Sequence, residues 1–518
     1  MATLERQQAI RELLENFRGI QSLKHLTAEL NYEFVNKPLP RRNWSDTARE
    51  ALVADPVLLA AGGDEGAFHV IYAQLKSAGL PRGAERPVVT KLLEDNLYAL
   101  FVFSNEAQDR WHFINVKHDA GNKRRLFRRI TIGADERLRT ASERILMLDL
   151  ESINPTLLGI APLEIQKRHD EAFDVQPVTR DFYRDYDRIF KRVEDLLEGF
   201  GNTKPEVERK RLYTQRLFNR LMFIAFIQKK GWLKFEGEKD YLAALWRDYE
   251  REDSERKNFY LGRLKPLFFQ GLSTSNEVNI IGINRGGFLK TLIGDVPYLN
   301  GGLFEEGVDD RDMKVVVLDE GLDIIINELF ERHNFTVTES TPFDVEVAVD
   351  PEMLGKVFEE LVTGRNESGS YYTPKPVVSF MCRESLKGYL GSRYTALVDE
   401  HDASSISVPE ARQLLVRLAD VRVVDPACGS GAYLLGMLHE LHDLTRLLET
   451  RARIKRRRAT ITTASYKLFK TISTAWTETN LRCRLRDCVC GYRWRLSTKA
   501  LSRSLCRTLI SRSSAATP

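Results

Sequence analysis

One short run, residues 423–435, constrains the fold more than any other part of the chain, and it reads VVDPACGSGAYLL. The β-branched residues here are Val421, Val423 and Val424. They predict a short buried strand that begins just before this run and extends into its first two residues. Gly429 and Gly431 then permit a tight turn and a close ligand approach that a Cβ would block. A helix beginning at Ala432 would direct free N–H groups toward that ligand. The run therefore predicts a strand, a glycine turn and a helix that together cradle a nucleotide cofactor.

The spacing of the glycines helps to distinguish a dinucleotide-binding turn from other cofactor-binding turns. Dinucleotide enzymes use the spacing G-x-G-x-x-G, and Leu434 stands here at the position of the third glycine, which disfavours an NAD-dependent enzyme. The string Asp-Pro-Ala-Cys-Gly-Ser-Gly, residues 425–431, closely resembles motif I of the N6-adenine DNA methyltransferases. In that family this turn holds the methionine part of S-adenosylmethionine, and the leading acid helps to fix its amino group.

A second string, RNESGSYYTP at residues 365–374, resembles motif X of the same family. There the Tyr-Tyr-Thr-Pro segment covers the cofactor, and the apolar residues 377–381 that follow are helical in pattern. The resemblance implies S-adenosylmethionine as cofactor and a set of residues that bind it: Tyr371, Tyr372, Thr373, Pro374, Asp425, Pro426, Cys428, Gly429 and Gly431.

The second half of the family's site is missing from the sequence. The family needs an Asn-Pro-Pro-Tyr or Asn-Pro-Pro-Phe motif to hold the adenine that is flipped out of the duplex. No Asn-Pro-Pro occurs in the chain, and the nearest string, Asn154–Pro155–Thr156, lies upstream of the cofactor segment. We therefore assign no catalytic residue and no metal ligand.

The pattern along the chain predicts an α/β protein, with N-terminal α+β and helical domains followed by the first part of a Rossmann-like S-adenosylmethionine-dependent methyltransferase domain. The predicted segments are an α+β domain over 1–160, a helical domain over 161–340, a cofactor-binding segment over 341–450 and a basic, disordered tail over 451–518. Within them, helices are expected over 6–17, 22–34 and 216–230, and a further helix from Asp350.

Three runs near residues 98–103, 111–117 and 126–132 predict an antiparallel meander. Methyltransferases fused to a restriction domain often carry a metal-dependent nuclease at this end, built from an acid and an acid-x-Lys. Here Asp109 is followed by Asn115–Val116–Lys117, so the second acid is missing. A DNA-binding or structural domain is favoured over a working nuclease. The basic residues of 123–129 are candidates for phosphate contacts or simply for a solvated edge.

Charge and cysteine usage set the tail apart. Residues 451–518 hold 17 basic and two acidic residues, whereas the rest of the chain holds 60 basic and 71 acidic ones. Four of the six cysteines lie there as well, and their spacing does not match paired zinc ligands. The other two, Cys382 and Cys428, suit a reducing compartment, and no signal peptide or membrane span is seen, so we expect a cytoplasmic protein.

The tail is interpreted as a frameshift product. Read one base out of frame, the codons of Trp476–Thr477 must give Asp, and the codons before them permit Tyr-Gly-Val, as expected for the family's next strand and its ribose-binding acid. The alternative is that the basic tail is a genuine nucleic-acid-binding segment. Both interpretations predict that the tail binds polyanions nonspecifically.

The sequence thus predicts an adenine-specific DNA methyltransferase of the large fused type IIG restriction-modification or phage-exclusion kind, present as an inactive fragment. The expected partners are double-stranded DNA and a restriction or defence-complex subunit, with no membrane. The alternative is a non-catalytic DNA-binding subunit of a defence complex that keeps the pocket as a remnant.

Overall fold

A computed structural model describes residues 2–452 except 42–43, 120–123, 154, 156–158, 239, 253–257, 274–287, 298, 300–301, 337–343, 350–372, 374, 404 and 426–431. The chain divides into two compact units. The first comprises Met1–Gln215, Lys234–Tyr260 and Met313–Asp350, and the second comprises Arg216–Leu233, Leu261–Asp312 and Pro351–Pro518. In the described part, no helix combines the length and the apolar character that crossing a membrane requires.

One mixed sheet of seven strands forms the centre of the first unit, and the strands lie side by side in the order of the sequence. They are β1 Glu33–Pro38, β2 Val57–Gly62, β3 Phe68–Gln74, β4 Ala99–Ser104, β5 Trp111–Asp119, β6 Arg124–Ile132 and β7 Asp344–Glu346. The pairs β3/β4 and β6/β7 are parallel, and the other neighbours are antiparallel. The molecule therefore has the mixed α/β character that the sequence predicts.

The α-helices are α1 Ala2–Glu15, α2 Gly19–Glu29, α3 Asp46–Glu50, α4 Arg82–Asp95, α5 Leu138–Leu146, α6 Pro162–Ala172, α7 Val175–Leu196, α8 Lys204–Lys229, α9 Tyr241–Glu250, α10 Phe288–Ile293, α11 Val308–Arg311, α12 Asp319–Asp323, α13 Lys375–Leu390, α14 Thr395–Asp399, α15 Val408–Ala419 and α16 Ala432–Arg451. Wider, π-helical turns occur at Tyr260–Leu264, Leu267–Leu272 and Ile324–Phe330. The described residues between 162 and 330 are thus largely helical.

Helices cover both faces of the sheet at its central strand β4, which is apolar at every position except Ser104. All residues of β4 are buried, and successive side chains point to opposite faces. Leu100 and Val102 pack with α1, α2, α5 and α6, whereas Phe101 and Phe103 pack with α3 and α4. The α4 helix is the crossover that lets β3 and β4 run parallel.

The predicted meander is confirmed as β4, β5 and β6, with Phe113 of β5 opposite Val102 on one side and Ile130 on the other. The predicted helix over 22–34 is wrong at its end. Asn31 adopts a left-handed conformation with φ 64°, which ends α2, and Phe34 lies in β1. The helix over 216–230 is confirmed within α8, where Leu217, Leu221 and Ile224 are buried. The helix expected from Asp350 lies outside the described residues.

A fully buried ion pair lies in the second unit. Arg220 of α8 donates two hydrogen bonds to Asp310 of α11, at 2.8 and 2.9 Å, and both side chains are at most 1% exposed. The same guanidinium donates to the carbonyls of Leu303 and Glu305 at 2.9 and 3.0 Å. The Asp310 carboxylate also accepts from the N–H of Gly307. The pair therefore fixes the turn that leads into α11.

The last described segment packs as a cluster of helices. Apolar residues of α13, α15 and α16 form one core, and α15 begins with a reciprocal cap in which Ser407 and Glu410 bond to each other's backbone N–H. The predicted helices after Pro374 and from Ala432 are confirmed as α13 and α16.

The strand predicted from Val421, Val423 and Val424 is wrong, because residues 421–425 have no regular secondary structure. A strand needs a neighbour for its backbone hydrogen bonds, and no strand of the second unit is present among its described residues. Val421 instead joins the helical core, and Val424 is 77% exposed.

Candidate functional site

The two cofactor strings lead into two helices that contact each other. The α13 helix follows the Tyr-Tyr-Thr-Pro segment, and α16 follows the glycine turn. They approach so closely at Gly436 that a Cβ there would overlap a methyl group of Val378 and would lie 3.3 Å from Sγ of Cys382. A glycine at position 436 is therefore required for this packing, and the packing brings the two strings' helices to one place.

A buried carboxylate holds the same two helices together. Glu440 of α16 is 7% exposed and accepts hydrogen bonds from the Ser379 hydroxyl at 2.7 Å and from Nε of Arg383 at 3.0 Å. His401 Nε2 lies 3.6 Å from the other oxygen of the carboxylate. The sequence analysis did not identify this group. The spacing of Ser379 and Arg383, four residues apart on one helical face, was the available signal.

Cys382 lies next to this contact and is buried. Its thiol donates to the carbonyl of Tyr433 at 3.5 Å. Burial, with smaller contributions from the negative charges of Glu440 and Asp425, raises the pKa of the thiol to about 12. The thiol therefore stays protonated at neutral pH. The contribution of Asp425 also shows that its carboxylate lies within electrostatic reach of α13.

Two of the predicted cofactor-binding residues lie among the described residues. Thr373 is half-buried two residues before α13, and Asp425 is half-buried at the end of the irregular segment 421–425. Asp425 supplies a carboxylate near the α13/α16 contact, which fits a ligand that carries an ammonium group. The other predicted residues lie outside the described part: Tyr371, Tyr372, Pro374, Pro426, Cys428, Gly429 and Gly431.

The sheet residues considered for a nuclease have structural roles. The Asp109 carboxylate accepts a hydrogen bond from Asn105 within the β4–β5 turn at 2.7 Å. Asn115 donates to Asp170 and accepts from Gln166, both on α6. Among the described residues there is no group of three or more His, Cys, Asp or Glu side chains placed to hold a metal ion.

One basic residue of β6, Arg129, faces a buried cluster. Arg129 is 1% exposed and lies 3.2 Å from Glu85 of α4, whose other oxygen contacts His112. The prediction that this run offers phosphate contacts or a solvated edge is therefore wrong for Arg129. Its alternation with apolar residues in β6 points it under α4, where a carboxylate balances its charge.

The chain is similar to a protein of Methanocaldococcus jannaschii that is provisionally named a type II restriction enzyme and methyltransferase. The two are 25% identical over an alignment of 310 residues, and the match covers 51% of this chain and 25% of the relative. The chain therefore spans about a quarter of the length of the curated relative that it matches. No protein-family profile and no solved structure matches the chain.

Proposed function

We propose that this chain is the cofactor-binding part of a methyltransferase of the restriction-modification kind, one that uses S-adenosylmethionine to methylate the N6 atom of adenine in DNA. The contact between α13 and α16 is the observation that carries the proposal, because it places the two helices that follow the motif X and motif I strings side by side. The name of the M. jannaschii relative supports it from an independent direction.

S-adenosylmethionine, when bound, supplies an activated methyl group on a sulfonium sulfur. The residues of this chain bind and orient it. Asp425 accepts hydrogen bonds from the amino group, and Gly429 and Gly431 leave room for the backbone to approach. Tyr371 and Tyr372 cover the ligand with flat aromatic surface. In this proposal Thr373, Pro374, Pro426 and Cys428 complete the wall of the site.

The N-terminal α+β domain, residues 1–160, is proposed to contact double-stranded DNA or to act as a structural domain. The proposed boundaries place an α+β domain in 1–160, a helical domain in 161–340, the cofactor segment in 341–450 and a basic tail in 451–518. A restriction or defence-complex subunit is the further proposed partner.

Cofactor binding is tested by calorimetric titration of the full chain with S-adenosylmethionine. We expect weak binding, and Asp425→Asn should weaken it by about tenfold, since a hydrogen bond to a charged group contributes about 1.5–3 kcal/mol. Asp420→Asn is the matched control, because Asp420 is an exposed acid five residues earlier at the end of α15. An equal loss in both variants would contradict the role of Asp425.

Methyl transfer is a separate proposal. The chain contains no Asn-Pro-Pro, so it offers no motif to receive the flipped adenine, and we expect no transfer of labelled methyl groups to DNA. A chain repaired to the alternative frame after about residue 448 should regain transfer. Methylation by the 518-residue chain above background would overturn the proposal.

A non-catalytic DNA-binding subunit of a defence complex is the second candidate, and the missing Asn-Pro-Pro motif is the observation that favours it. The repaired chain separates the two. If it binds DNA and still transfers nothing, the second candidate is the better one.

A further inference from the structure

Arg144 of α5 is a buried cation without a carboxylate. The residue is 9% exposed. Its guanidinium donates one weak hydrogen bond, to Sδ of Met147 at 3.8 Å. In the part of the chain that the structure describes, no carboxylate oxygen lies within 4.0 Å of it. Burial lowers the pKa of Arg144, and the charges of Asp181 and Glu143 oppose that effect only from farther away.

A charge in this position is costly to keep. An ionised group loses its hydration on burial, and the loss is usually offset by a partner of opposite charge. The neighbouring arginines have such partners. Arg137 lies 2.7 Å from Glu331, Arg139 lies 3.3 Å from Glu143, and Arg332 lies 3.1 Å from Asp185. Arg144 differs from them in having none.

Two adjoining depressions of the first unit meet at Arg144. Both are lined by Thr140 and Arg144, which are four residues apart and so lie on one face of α5. The Thr140 hydroxyl also has no hydrogen-bond partner among the described residues. One depression continues to Arg137 and Asn334, and the other continues to Arg139 and Arg332.

Two carboxylates face the second depression, and both are neutralised by neighbours. Glu143 accepts hydrogen bonds from Arg139 at 3.3 Å and from Gln7 at 3.2 Å, and Asp181 pairs with Arg184 at 3.0 Å. The balance at the junction of the two depressions is therefore positive. Its donors without an oxygen partner are the guanidinium of Arg144, which donates only to Sδ of Met147, and the hydroxyl of Thr140.

We propose that Arg144 and Thr140 form a binding site for one phosphoryl oxyanion. A guanidinium presents donors in a fixed fork that matches two oxygens of a phosphate, and a hydroxyl one helical turn away can reach a third. The ligand is a phosphate of the DNA backbone, an assignment that rests on the proposed function. Contacts of this kind position a protein on duplex DNA without reading its sequence.

Three forms of the full chain test the site: the native protein, Arg144→Met and the control Arg11→Met. Arg11 is a half-exposed arginine of α1 in the same unit, paired with Glu15, so the control removes the same charge from an ordinary surface position. The basic tail contributes equally to all three forms. Binding to a fluorescent duplex is measured by anisotropy between 50 and 200 mM salt.

We expect Arg144→Met to weaken duplex binding by about tenfold and to lower the slope of log K against log salt by about one unit. Arg11→Met should change the affinity by less than about twofold. Arg144→Lys keeps the charge and loses the fork, so it should fall between the native protein and Arg144→Met. Equal affinities for native protein and Arg144→Met would overturn the assignment to DNA.

A second arm uses inorganic phosphate and thermal unfolding at constant ionic strength. Phosphate should raise the unfolding temperature of the native protein and leave that of Arg144→Met unchanged, and this result with unaltered DNA binding would assign the site to a free phosphate. No response to either ligand overturns the site itself. Calorimetry with S-adenosylmethionine reads the proposed function separately, because Asp425 is not part of the Arg144 site.

Discussion

Arg220 and Arg144 are both buried arginines on helices, yet their surroundings are opposite. Arg220 in the second unit donates four hydrogen bonds, two of them to the carboxylate of Asp310. Arg144 in the first unit donates one, to a thioether sulfur. The difference teaches that burial alone does not tell a structural cation from a functional one. The presence or absence of a partner makes this distinction. A buried charge with an opposite charge beside it is compatible with a stable fold, whereas a buried charge without one lowers stability unless a ligand of opposite charge binds it.

The largest expected effect breaks the satisfied pair. Asp310→Asn leaves Arg220 without its counter-charge in a buried site, and removal of one partner of a buried pair costs about 3–5 kcal/mol. Native-state hydrogen exchange of the amides in 216–230 and 302–311 measures the loss. Lys290→Ala is the control, since Lys290 and Asp295 form an exposed pair worth less than about 1 kcal/mol. Equal protection in both variants would mean that Arg220 does not need Asp310.

An intermediate case is Glu440, which has one oxygen bonded to Ser379 and Arg383 while the other has no hydrogen bond. Glu440→Leu should lower the stability of the α13/α16 contact by about 1.5–3 kcal/mol, the range for hydrogen bonds to a charged group. Hydrogen exchange in 375–390 and 432–451 reports it. Asp443→Leu is the control, because Asp443 is an exposed acid three residues farther along the same helix. A loss of stability as large as that caused by Asp310→Asn would show that Glu440 is as fully paired as Asp310, not an intermediate case.

Acid should weaken the Arg220 site and not the Arg144 site. Burial by itself would raise the pKa of Asp310, but hydrogen bonds and charge from Arg220 outweigh it and hold that pKa below its usual value. The stabilisation is therefore complete above the unfolded-state pKa near 4 and is lost as pH falls through the lower folded-state pKa. Exchange protection of 302–311, followed from pH 6 to pH 3, should fall in this window in native protein and stay flat in Asp310→Asn.

The smallest effect has the opposite sign. Without phosphate or DNA, Arg144→Met should leave the stability of the first unit unchanged or raise it by up to about 1 kcal/mol, since it removes an uncompensated buried charge. Thermal unfolding in phosphate-free buffer measures this change. A loss comparable to that of Asp310→Asn would show that Arg144 is held by the fold after all, and the contrast between the two arginines would disappear.

Local sequence patterns predicted helices and strands, but the roles of the buried charged residues depend on contacts with residues that are distant in the sequence. The three runs within 98–132 predicted β4 to β6, and the helical pattern of 216–230 predicted α8. Arg220 was interpreted only as part of a core helix, because Asp310 lies 90 residues away in the sequence. No local pattern marks Arg144 either, since lacking a carboxylate partner is a property of the packed structure.

The candidate cofactor site was predictable in its helices and not in its strand. The glycine turn and the apolar pattern after it predicted α16, and the residues after Pro374 predicted α13. The valines before Asp425 carried a strand preference that the structure does not realise, because strand formation depends on a neighbouring strand. Glu440 was missed because a single acid on an apolar face has no signature of its own.

Because β7 follows β6 by more than 200 residues in the sequence, the parallel pairing of β6 with β7 can form only late during synthesis of the chain. Arg129 of β6 lies opposite Glu346 of β7, and Glu346 accepts hydrogen bonds from Thr131, Thr336 and Arg82. At about 5–20 residues per second, a ribosome needs roughly 10–40 s to progress from β6 to β7. During that interval the nascent sheet has an open edge on which another extended chain can pair. Arg128 is half-buried on this edge strand, and a charged side chain there is suited to discouraging such pairing until β7 emerges.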